Sequence, residues 1–235
     1  MERPWLLAPQ SVRNFVMKIE EMPKRLKDYV DVESGIFQGL ITGADKVFLM
    51  EREDGDQYYS KALSRLVRLE PSLMVPTLKG SVDIKRLEAY NPRLYMLFPY
   101  VTEKTGAPPR LLTIAELREN YPCTHAYFSE VETLLRARTA LKTRSEREQD
   151  LENFPDHFPE KEWYYLGDDF YKFSRNQALD CINKPKLIVP SMFKEPSFFI
   201  DSNGGYSITG SGSGGGGAYA MFIKAFAPRI VRSLV

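Results

Sequence analysis

Residues 34–50, "SGIFQGLITGADKVFLM", contain the pattern that gives the first indication of the fold. The segment is rich in β-branched and aromatic residues and is interrupted at Gly39 and at Thr42-Gly43, next to Asp45 and Lys46. Runs of β-forming residues bounded by glycine are typical of strands joined by a tight turn. The segment therefore predicts a strand, a turn and a second strand.

Similar runs recur towards the end of the chain. They are "KLIVPS", "SFFID", "GYSIT" and "AYAMFI", and each predicts a short strand. In the first half, "SLMVPTLKGSVDIKRL" (72–87) and "RLYMLFPY" (93–100) predict two more strands. The second is nearly all apolar, which is typical of a strand buried on both faces.

Helical periodicity is found in fewer places. Residues 8–22 repeat apolar side chains at helical spacing behind Pro9 and Ser11, and residues 125–142 predict the longest helix of the chain. A polar loop is predicted at 51–59, then a short amphipathic helix through Leu63, Leu66 and Val67, and a further short helix from Ser174. These elements predict an α+β fold with a mixed, mainly antiparallel sheet, or sheets, and inserted helices in one large domain.

The composition narrows the possible functions. The 235 residues carry a net charge of +1, with two cysteines, Cys123 and Cys181, and two histidines, His125 and His157. This set argues against a disulfide framework and leaves zinc-dependent or histidine-based catalysis short of ligands. There is no apolar run near 18 residues and no leader pattern, so we expect a cytoplasmic protein without a membrane partner.

A glycine-rich run, "SITGSGSGGGGAYAMFI" (207–223), fits the GxGxxG pattern of nucleotide-binding loops. That fingerprint needs a helix directly after the glycines and an acidic residue about 20 positions later. Here Asp201 is the last acid of the chain and a strand-like run follows the glycines. The run is therefore predicted to be the tip of a β-hairpin. The chain also lacks the Asn- or Asp-Pro-Pro-aromatic tetrapeptide of adenine methyltransferases, the nearest string being "NPRLY".

The order of the segments carries a resemblance. "WLLAP" before a helix, then "GIFQGLITGADKVFLM", "LKGSVDIKRLEAY", "LYMLFPY", "WYYLG…FSRNQALD", "KPKLIVPSM", "FFIDSNGGYSITG" and "GGGGAYAMF" follow one another over nearly the whole chain. This order resembles the carboxy-terminal target recognition (specificity) domain of adenine-specific DNA methyltransferases of restriction-modification systems, of the Taq and Eco57I types.

The resemblance implies that DNA recognition and methyl transfer are carried out by two different domains. Residues 1–235 would form a DNA target recognition domain, and the N-terminal methyltransferase domain would be absent from this chain. That absent domain would bind S-adenosylmethionine and carry out methyl transfer in the parent enzyme, so this chain is expected to hold no cofactor and no catalytic residue. Its expected partners are double-stranded DNA and the methyltransferase domain. A protein-interaction module without base readout is the alternative.

Residue types suited to DNA occur in five places. "KFSRNQ" offers Lys172, Arg175, Asn176 and Gln177, since arginine suits guanine and amides suit adenine. Its structural alternative is a solvated helix start capped by Ser174. The other places, chosen for phosphate or close backbone contact, are Thr42, Gly43 and Lys46; Lys79; Arg86; and Gly214 and Gly215.

Some of these segments have structural alternatives. Thr42 and Gly43 could form an ordinary turn in which Asp45 caps its own backbone. Basic residues on the far face and at the exit of the predicted long helix are predicted to lie on a solvated face, with nucleic-acid contact as the alternative; they are Arg136, Arg138, Lys142, Arg144 and Arg147. Tyr164, Tyr165, Phe170 and Tyr171 are predicted to pack in the core or a loop, with base stacking as the alternative.

Overall fold

A computed structural model describes residues 9–21, 26–31, 35–84, 93–103, 107–192, 197–210 and 216–224. Its strands, in chain order, are β1 (Ile36–Gln38), β2 (Leu49–Asp54), β3 (Gln57–Ser60), β4 (Arg65–Arg68), β5 (Met74–Leu78), β6 (Leu94–Leu97), β7 (Tyr100–Val101), β8 (Arg110–Leu111), β9 (Lys186–Pro190), β10 (Phe199–Asp201), β11 (Ser207–Ile208) and β12 (Ala218–Phe222). Its helices are α1 (Gln10–Glu20), α2 (Asp45–Phe48), α3 (Gly80–Asp83), α4 (Ile114–Asn120), α5 (Pro122–Glu130), α6 (Glu132–Arg136) and α7 (Arg144–Asn153).

Most strands belong to two sheets. The larger sheet has the order β11-β5-β6-β2-β3-β4, and the smaller has the order β1-β12-β9-β10. The pairs within them are antiparallel except for β11 and β5, which are parallel. A separate antiparallel pair joins β7 and β8. The predicted α+β fold with mixed, mainly antiparallel sheets is confirmed.

Two apolar clusters hold these layers together. The main core lies between the larger sheet and the helices of the middle region, where Phe48, Met50, Met96, Val131 and Leu135 are fully buried. The second cluster joins Leu78 and Ile208 of the larger sheet to Ile188 and Ala220 of the smaller one. Since the second cluster is built from both sheets, the edge of the larger sheet and the inner face of the smaller one share a core.

The strands predicted near the end of the chain are confirmed as β9, β10, β11 and β12. The runs 72–87 and 93–100 contain β5 and β6, although β5 ends at Leu78 and is followed by the helical turn α3. In residues 34–50 the predicted strands are β1 and the start of β2, but a helical turn, α2, lies between them. The predicted first helix is confirmed as α1, whose apolar side chains Val12, Phe15, Val16 and Ile19 lie outside the described part.

The segment after Met50 corrects two predictions. Residues predicted as a polar loop form most of the β2-β3 hairpin, and the residues predicted as a short helix contain β4. Leu66 is 45% exposed and its neighbour Val67 only 7% exposed, which is the alternation of a strand. An apolar run this short fits both periods, and pairing with β3 decides between them.

The predicted long helix over 125–142 is also corrected. Pro122 begins α5 earlier, the helix breaks at Val131 (φ −99°, ψ 8°), and α6 is followed by a 3₁₀ turn at Thr139–Leu141. A further helix, α7, was not predicted, although Thr143 and Glu146 form a capping box at its start. No helix begins at Ser174, and the first helical turn after it is the 3₁₀ turn at Leu179–Cys181.

The predicted hairpin around the glycine-rich run is wrong. β11 pairs with β5 in the larger sheet, whereas β12 lies between β1 and β9 in the smaller sheet. The strands on either side of the glycine run therefore belong to different sheets, although Ala218 N donates to Thr209 O at 2.9 Å, and residues 211–215 of the run lie outside the described part. The element that follows it is a strand, as predicted, and not the helix of a nucleotide-binding loop.

Candidate nucleic-acid interface

Three parallel segments end at the same edge of the larger sheet. β11 is parallel to β5, and Leu40 forms a parallel bridge with Thr209, directly after β11. Thr209 N donates to Leu78 O at 3.2 Å, and Gly210 N donates to Leu40 O at 2.7 Å. Since neighbouring parallel strands point the same way, the turns at Lys79, Gly210 and Thr42 leave the sheet on one side. We call this side the loop edge.

The two segments predicted to contact DNA lie side by side next to the loop edge. Ile41 forms an antiparallel bridge with Arg175, and Ser174 N donates to Thr42 O at 3.2 Å. Ser174 Oγ donates to Ile41 O at 3.0 Å, so this side chain fastens the two segments and does not cap a helix. Residues about 130 positions apart in sequence are thereby joined.

Thr42 supports the loop from within. Its side chain is 1% exposed, and its hydroxyl donates to Asp45 Oδ1 at 2.6 Å and accepts from Ala44 N at 3.1 Å. The prediction that this hydroxyl contacts a phosphate is therefore corrected, because it is buried and already bonded. The turn alternative is close to what is found, with Thr42 rather than Asp45 binding the backbone.

Gly43 and Lys46 are the exposed members of this loop. Gly43 has φ +70°, and a Cβ placed on it would lie 2.8 Å from Ser174 Oγ and 3.7 Å from Arg138 Nη1. Glycine therefore fits both the backbone conformation and the close approach of Ser174. Lys46 is exposed on α2, and none of the described carboxylates pairs with it.

Arg138 lies buried beneath Gly43 and was missed as a site residue by sequence reasoning. It is 8% exposed, so its predicted place on a solvated face is wrong. Its guanidinium donates to the carbonyl oxygens of Leu135, Thr42, Phe170 and Lys172. Burial lowers the pKa of Arg138 to about 10. The basic run around it gave no sign of this, because the burial depends on two distant segments closing over the side chain.

In the segment 172–177, Lys172 is held by an ion pair and a hydrogen bond, whereas the last three residues are exposed. Lys172 pairs with Asp169 at 2.7 Å and donates to Tyr165 Oη at 2.8 Å. Burial opposes the charge of Lys172, but these hydrogen bonds outweigh it and raise the pKa overall. Lys172 is therefore already engaged, whereas Arg175, Asn176 and Gln177 are exposed.

A cleft of about 300 Å³ opens beside Asn176. Tyr100 Oη donates to Asn176 Oδ1 at 3.5 Å and accepts from Phe173 N at 2.7 Å. Arg110, on the far side of the cleft, is paired with Glu103 and Glu116. The charged groups of the cleft are thus largely neutralised among themselves, and its relevance is that it leaves Asn176 accessible at its rim.

Lys79 reaches the loop edge from β5. It is half-buried, its backbone N donates to Asp83 Oδ2 at 2.6 Å, and the turn it begins touches the end of the glycine run. A Cβ on Gly80 would lie only 2.1 Å from Gly216 O. The structure therefore brings Lys79 to the glycine-rich run, while Arg86, Gly214 and Gly215 lie outside the described residues.

Most of the aromatic segment belongs to the core. Tyr165, Phe170 and Tyr171 are 8%, 5% and 2% exposed, which confirms the predicted packing and leaves them unavailable for base stacking. Tyr164 is half-buried. Phe170 instead supports Arg136, whose guanidinium carbon lies 4.4 Å from the ring centroid.

Other kinds of site find little support in the described ranges. Both thiols are free, and Cys123 is exposed whereas Cys181 is buried. No group of three or more histidine, cysteine, aspartate or glutamate side chains there is placed to hold a metal ion. None of the helices in those ranges has the length and apolar character needed to cross a membrane.

Comparison with known proteins gives no family assignment. No protein-family model matches the chain, and no curated protein sequence matches it. The resemblance in segment order therefore stays a prediction.

Proposed function

We propose that the chain is the DNA target recognition module of an adenine-specific DNA methyltransferase of a restriction-modification system. The observation that supports this most is that the turns at Lys79 and at Thr42-Gly43 leave the sheet on the loop edge, beside the segment that carries the exposed Arg175. Backbone contacts fix the register of a protein on a duplex, and side chains at the base edges read its sequence. The loop edge offers both kinds of group on adjoining segments.

In this proposal the module holds the duplex while a separate domain performs the chemistry. Rotating an adenine out of the stack costs a few kcal/mol, so the DNA needs support beside the flipped base. S-adenosylmethionine and the catalytic residues belong to the methyltransferase domain, which is the second expected partner. The chain described here supplies phosphate contacts through Lys46, Lys79 and the Gly43 backbone, and base contacts through Arg175, Asn176 and Gln177.

The near-neutral charge of the chain sets the expected strength of binding. With a net charge of +1 and few free cations at the loop edge, few phosphates are neutralised, so the salt dependence of binding should be shallow. We expect the chain to bind duplex DNA weakly alone and more tightly when joined to its methyltransferase domain.

Fluorescence anisotropy with a labelled duplex, at several salt concentrations, tests the proposal. Lys46→Ala and Lys79→Ala should each weaken binding and reduce the salt slope by about one. Lys184→Ala is the matched control, because Lys184 pairs with Asp180 at 3.0 Å and lies 5.1 Å from the ring centroid of Phe222 in the smaller sheet. Equal affinities for all three variants, or no binding by the wild type at low salt, would contradict the proposal.

A second candidate function, docking of a protein partner, is favoured by one face of the smaller sheet. Ile36 is 65% exposed and Tyr219 is 39% exposed. Paired residues share a face, so Val189, opposite Tyr219, and Leu187, opposite Ile200, extend the same apolar surface. Such a surface suits the methyltransferase domain or another subunit as its partner.

The two candidates can be separated by variants of this apolar face. Ile36→Ser with Tyr219→Ser should weaken association with the methyltransferase domain in a titration while leaving duplex binding by the chain unchanged. Leu66→Ser is the control, since Leu66 is 45% exposed on β4 of the other sheet. Association unaffected by the double substitution would remove this face as the docking site.

A further inference from the structure

We propose that Gly43 marks an oxyanion site whose attraction comes from the buried guanidinium of Arg138. The inference deepens the proposed function, on which it rests in one respect: the oxyanion is taken to be a phosphate group of the DNA backbone. The same chemistry would suit free inorganic phosphate, so the experiment below includes both.

The guanidinium of Arg138 is hydrogen-bonded, but no described carboxylate neutralises its positive charge. Its partners are carbonyl oxygens, at 2.7 Å for Thr42 O and 3.0 Å for both Leu135 O and Lys172 O. No described carboxylate forms an ion pair with it, in contrast to Arg136, which pairs with Glu132 at 2.7 Å. Burying an unpaired charge costs several kcal/mol, and an anion that reaches it from outside would recover part of that cost.

Gly43 and the Ser174 side chain lie between this charge and solvent. Gly43 is exposed, and the missing Cβ of this residue would lie 3.7 Å from Arg138 Nη1. Ser174 Cβ and Oγ lie 2.8 Å from the same point and fill this side of Gly43, so an anion would reach the Gly43 amide from the solvent side. Coulomb attraction grows as the dielectric constant falls, so a buried guanidinium attracts an anion at the Gly43 amide more strongly than a fully solvated charge at the same distance would.

The surroundings on the solvent side add one more cation and one anion. Lys46, three residues after Gly43, is exposed and can join the contact. Asp45 is half-buried, with Oδ1 bonded to the Thr42 hydroxyl and Oδ2 buried without a hydrogen-bond partner. Its charge opposes anion binding at Gly43, so replacing it by a neutral amide of the same shape is expected to tighten binding.

Arg138 also fixes the geometry of the site. One Nη atom donates to Thr42 O in the first loop, and the other donates to Phe170 O and Lys172 O in the second segment. A variant at this position therefore changes both charge and shape. Comparing Arg138→Lys, which retains a positive charge, with Arg138→Met, which has none, separates the two effects.

The experiment measures duplex affinity by anisotropy for the wild type, Arg138→Lys, Arg138→Met and Asp45→Asn, with folding checked by circular dichroism at the assay temperature. We expect Arg138→Met to bind about tenfold more weakly than Arg138→Lys, and Asp45→Asn to bind several-fold more tightly than the wild type. The Gly43 amide resonance of the wild type should shift when the duplex is added, and also when inorganic phosphate is added in a separate titration, which a purely structural role of Arg138 does not require.

The outcomes distinguish this inference from the proposed function. Equal affinity of folded Arg138→Lys and Arg138→Met would overturn the inference. If either variant fails to fold, Asp45→Asn and the Gly43 resonance decide, and an unchanged affinity with an unmoved resonance would also overturn it. A Gly43 shift with inorganic phosphate but no duplex binding would retain the anion site and reject the DNA function. Binding of neither ligand rejects both.

Discussion

Lys186 and Asp201 form an ion pair inside the protein, with 2.8 Å between Nζ and Oδ2 and side-chain exposures of 1% and 2%. Lys186 also donates to Ile182 O, and Asp201 accepts from the backbone N of Gly205 and Tyr206. Burial lowers the pKa of Lys186, while the hydrogen bond to Asp201 opposes that shift. The pair ties β9 and β10 to the turn that leads into β11.

Removing the carboxylate of this pair should destabilise the fold strongly. Asp201→Ala leaves a buried ammonium without its counter-ion, and we expect the free energy of unfolding to fall by about 3–5 kcal/mol. Asp180→Ala is the matched control, because Asp180 pairs with Lys184 at 3.0 Å with side chains about half exposed. Its expected cost is below about 1 kcal/mol. Urea denaturation measures the free energy of unfolding of both variants. Similar decreases for the two would show that burial does not determine the contribution of the Lys186–Asp201 pair.

The contact between Gly80 and Gly216 is expected to tolerate no side chain. Gly80 has φ +36°, and an added Cβ would meet a backbone oxygen that no rotamer change can move. Gly80→Ala should therefore lower the free energy of unfolding by about 3 kcal/mol. Gly205→Ala is the control, since an added Cβ there meets no atom within 4 Å. Thermal melting of both variants tests this, and a Gly80→Ala melting temperature equal to that of the control would refute the close approach.

The hydrogen bonds of Glu116 at the start of α4 predict that the stability of the fold depends on pH in the acidic range. Hydrogen bonds from Arg110, and then from Thr113, lower the pKa of Glu116 from 4.5 to about 2. A carboxylate whose folded pKa is depressed contributes stability above the unfolded pKa, and that contribution is lost as the pH falls through the folded value. The wild type should therefore lose stability between about pH 4.5 and pH 2 partly through this group.

Glu116→Gln should make the melting temperature less sensitive to pH across that window. Glu119→Gln, on the same helix but outside the capping box, provides the control and should follow the wild-type curve. Melting curves recorded at half-unit pH intervals give the comparison. A Glu116→Gln curve parallel to that of the wild type would mean that the Arg110 and Thr113 contacts are not maintained in solution.

The exposed residues of the segment 172–177 are the ones proposed to contact the DNA bases, and they can be tested by substitution. Arg175→Ala and Gln177→Ala should each weaken binding to a cognate duplex by at least about fivefold, because a good bidentate base contact contributes about 1–3 kcal/mol of discrimination. Arg144→Ala is the control, since its side chain is 86% exposed on α7. Wild-type binding by both Arg175→Ala and Gln177→Ala would remove these residues from the interface.

The local sequence pattern was sufficient to predict a strand where the strand depends mainly on its own residues. "KLIVPS" and "AYAMFI" alternate or accumulate β-forming side chains between turn residues, and they form β9 and β12 as predicted. Local pattern failed at Leu66 and Val67, where the choice between helix and strand depends on pairing with β3. It failed again at Val131, where one irregular backbone position divides a stripe that looks continuous in sequence.

The candidate interface was predictable only in pieces. The residue types at Gly43, Lys79 and Arg175 indicated groups suited to DNA, but their segments are brought together by parallel and antiparallel pairing between residues far apart in the chain. Lys172 and Thr42 have equally suitable side chains, and their engagement with Asp169 and Asp45 appears only when those neighbours are placed.

Composition and short runs of adjacent residues were sufficient to predict the α+β class and the strand that follows the glycine-rich run. The tertiary structure alone decided that β11 and β12 belong to different sheets and that Arg138 is buried beneath Gly43. Both outcomes are set by hydrogen bonds and packing between residues tens to more than a hundred positions apart, which no local periodicity encodes.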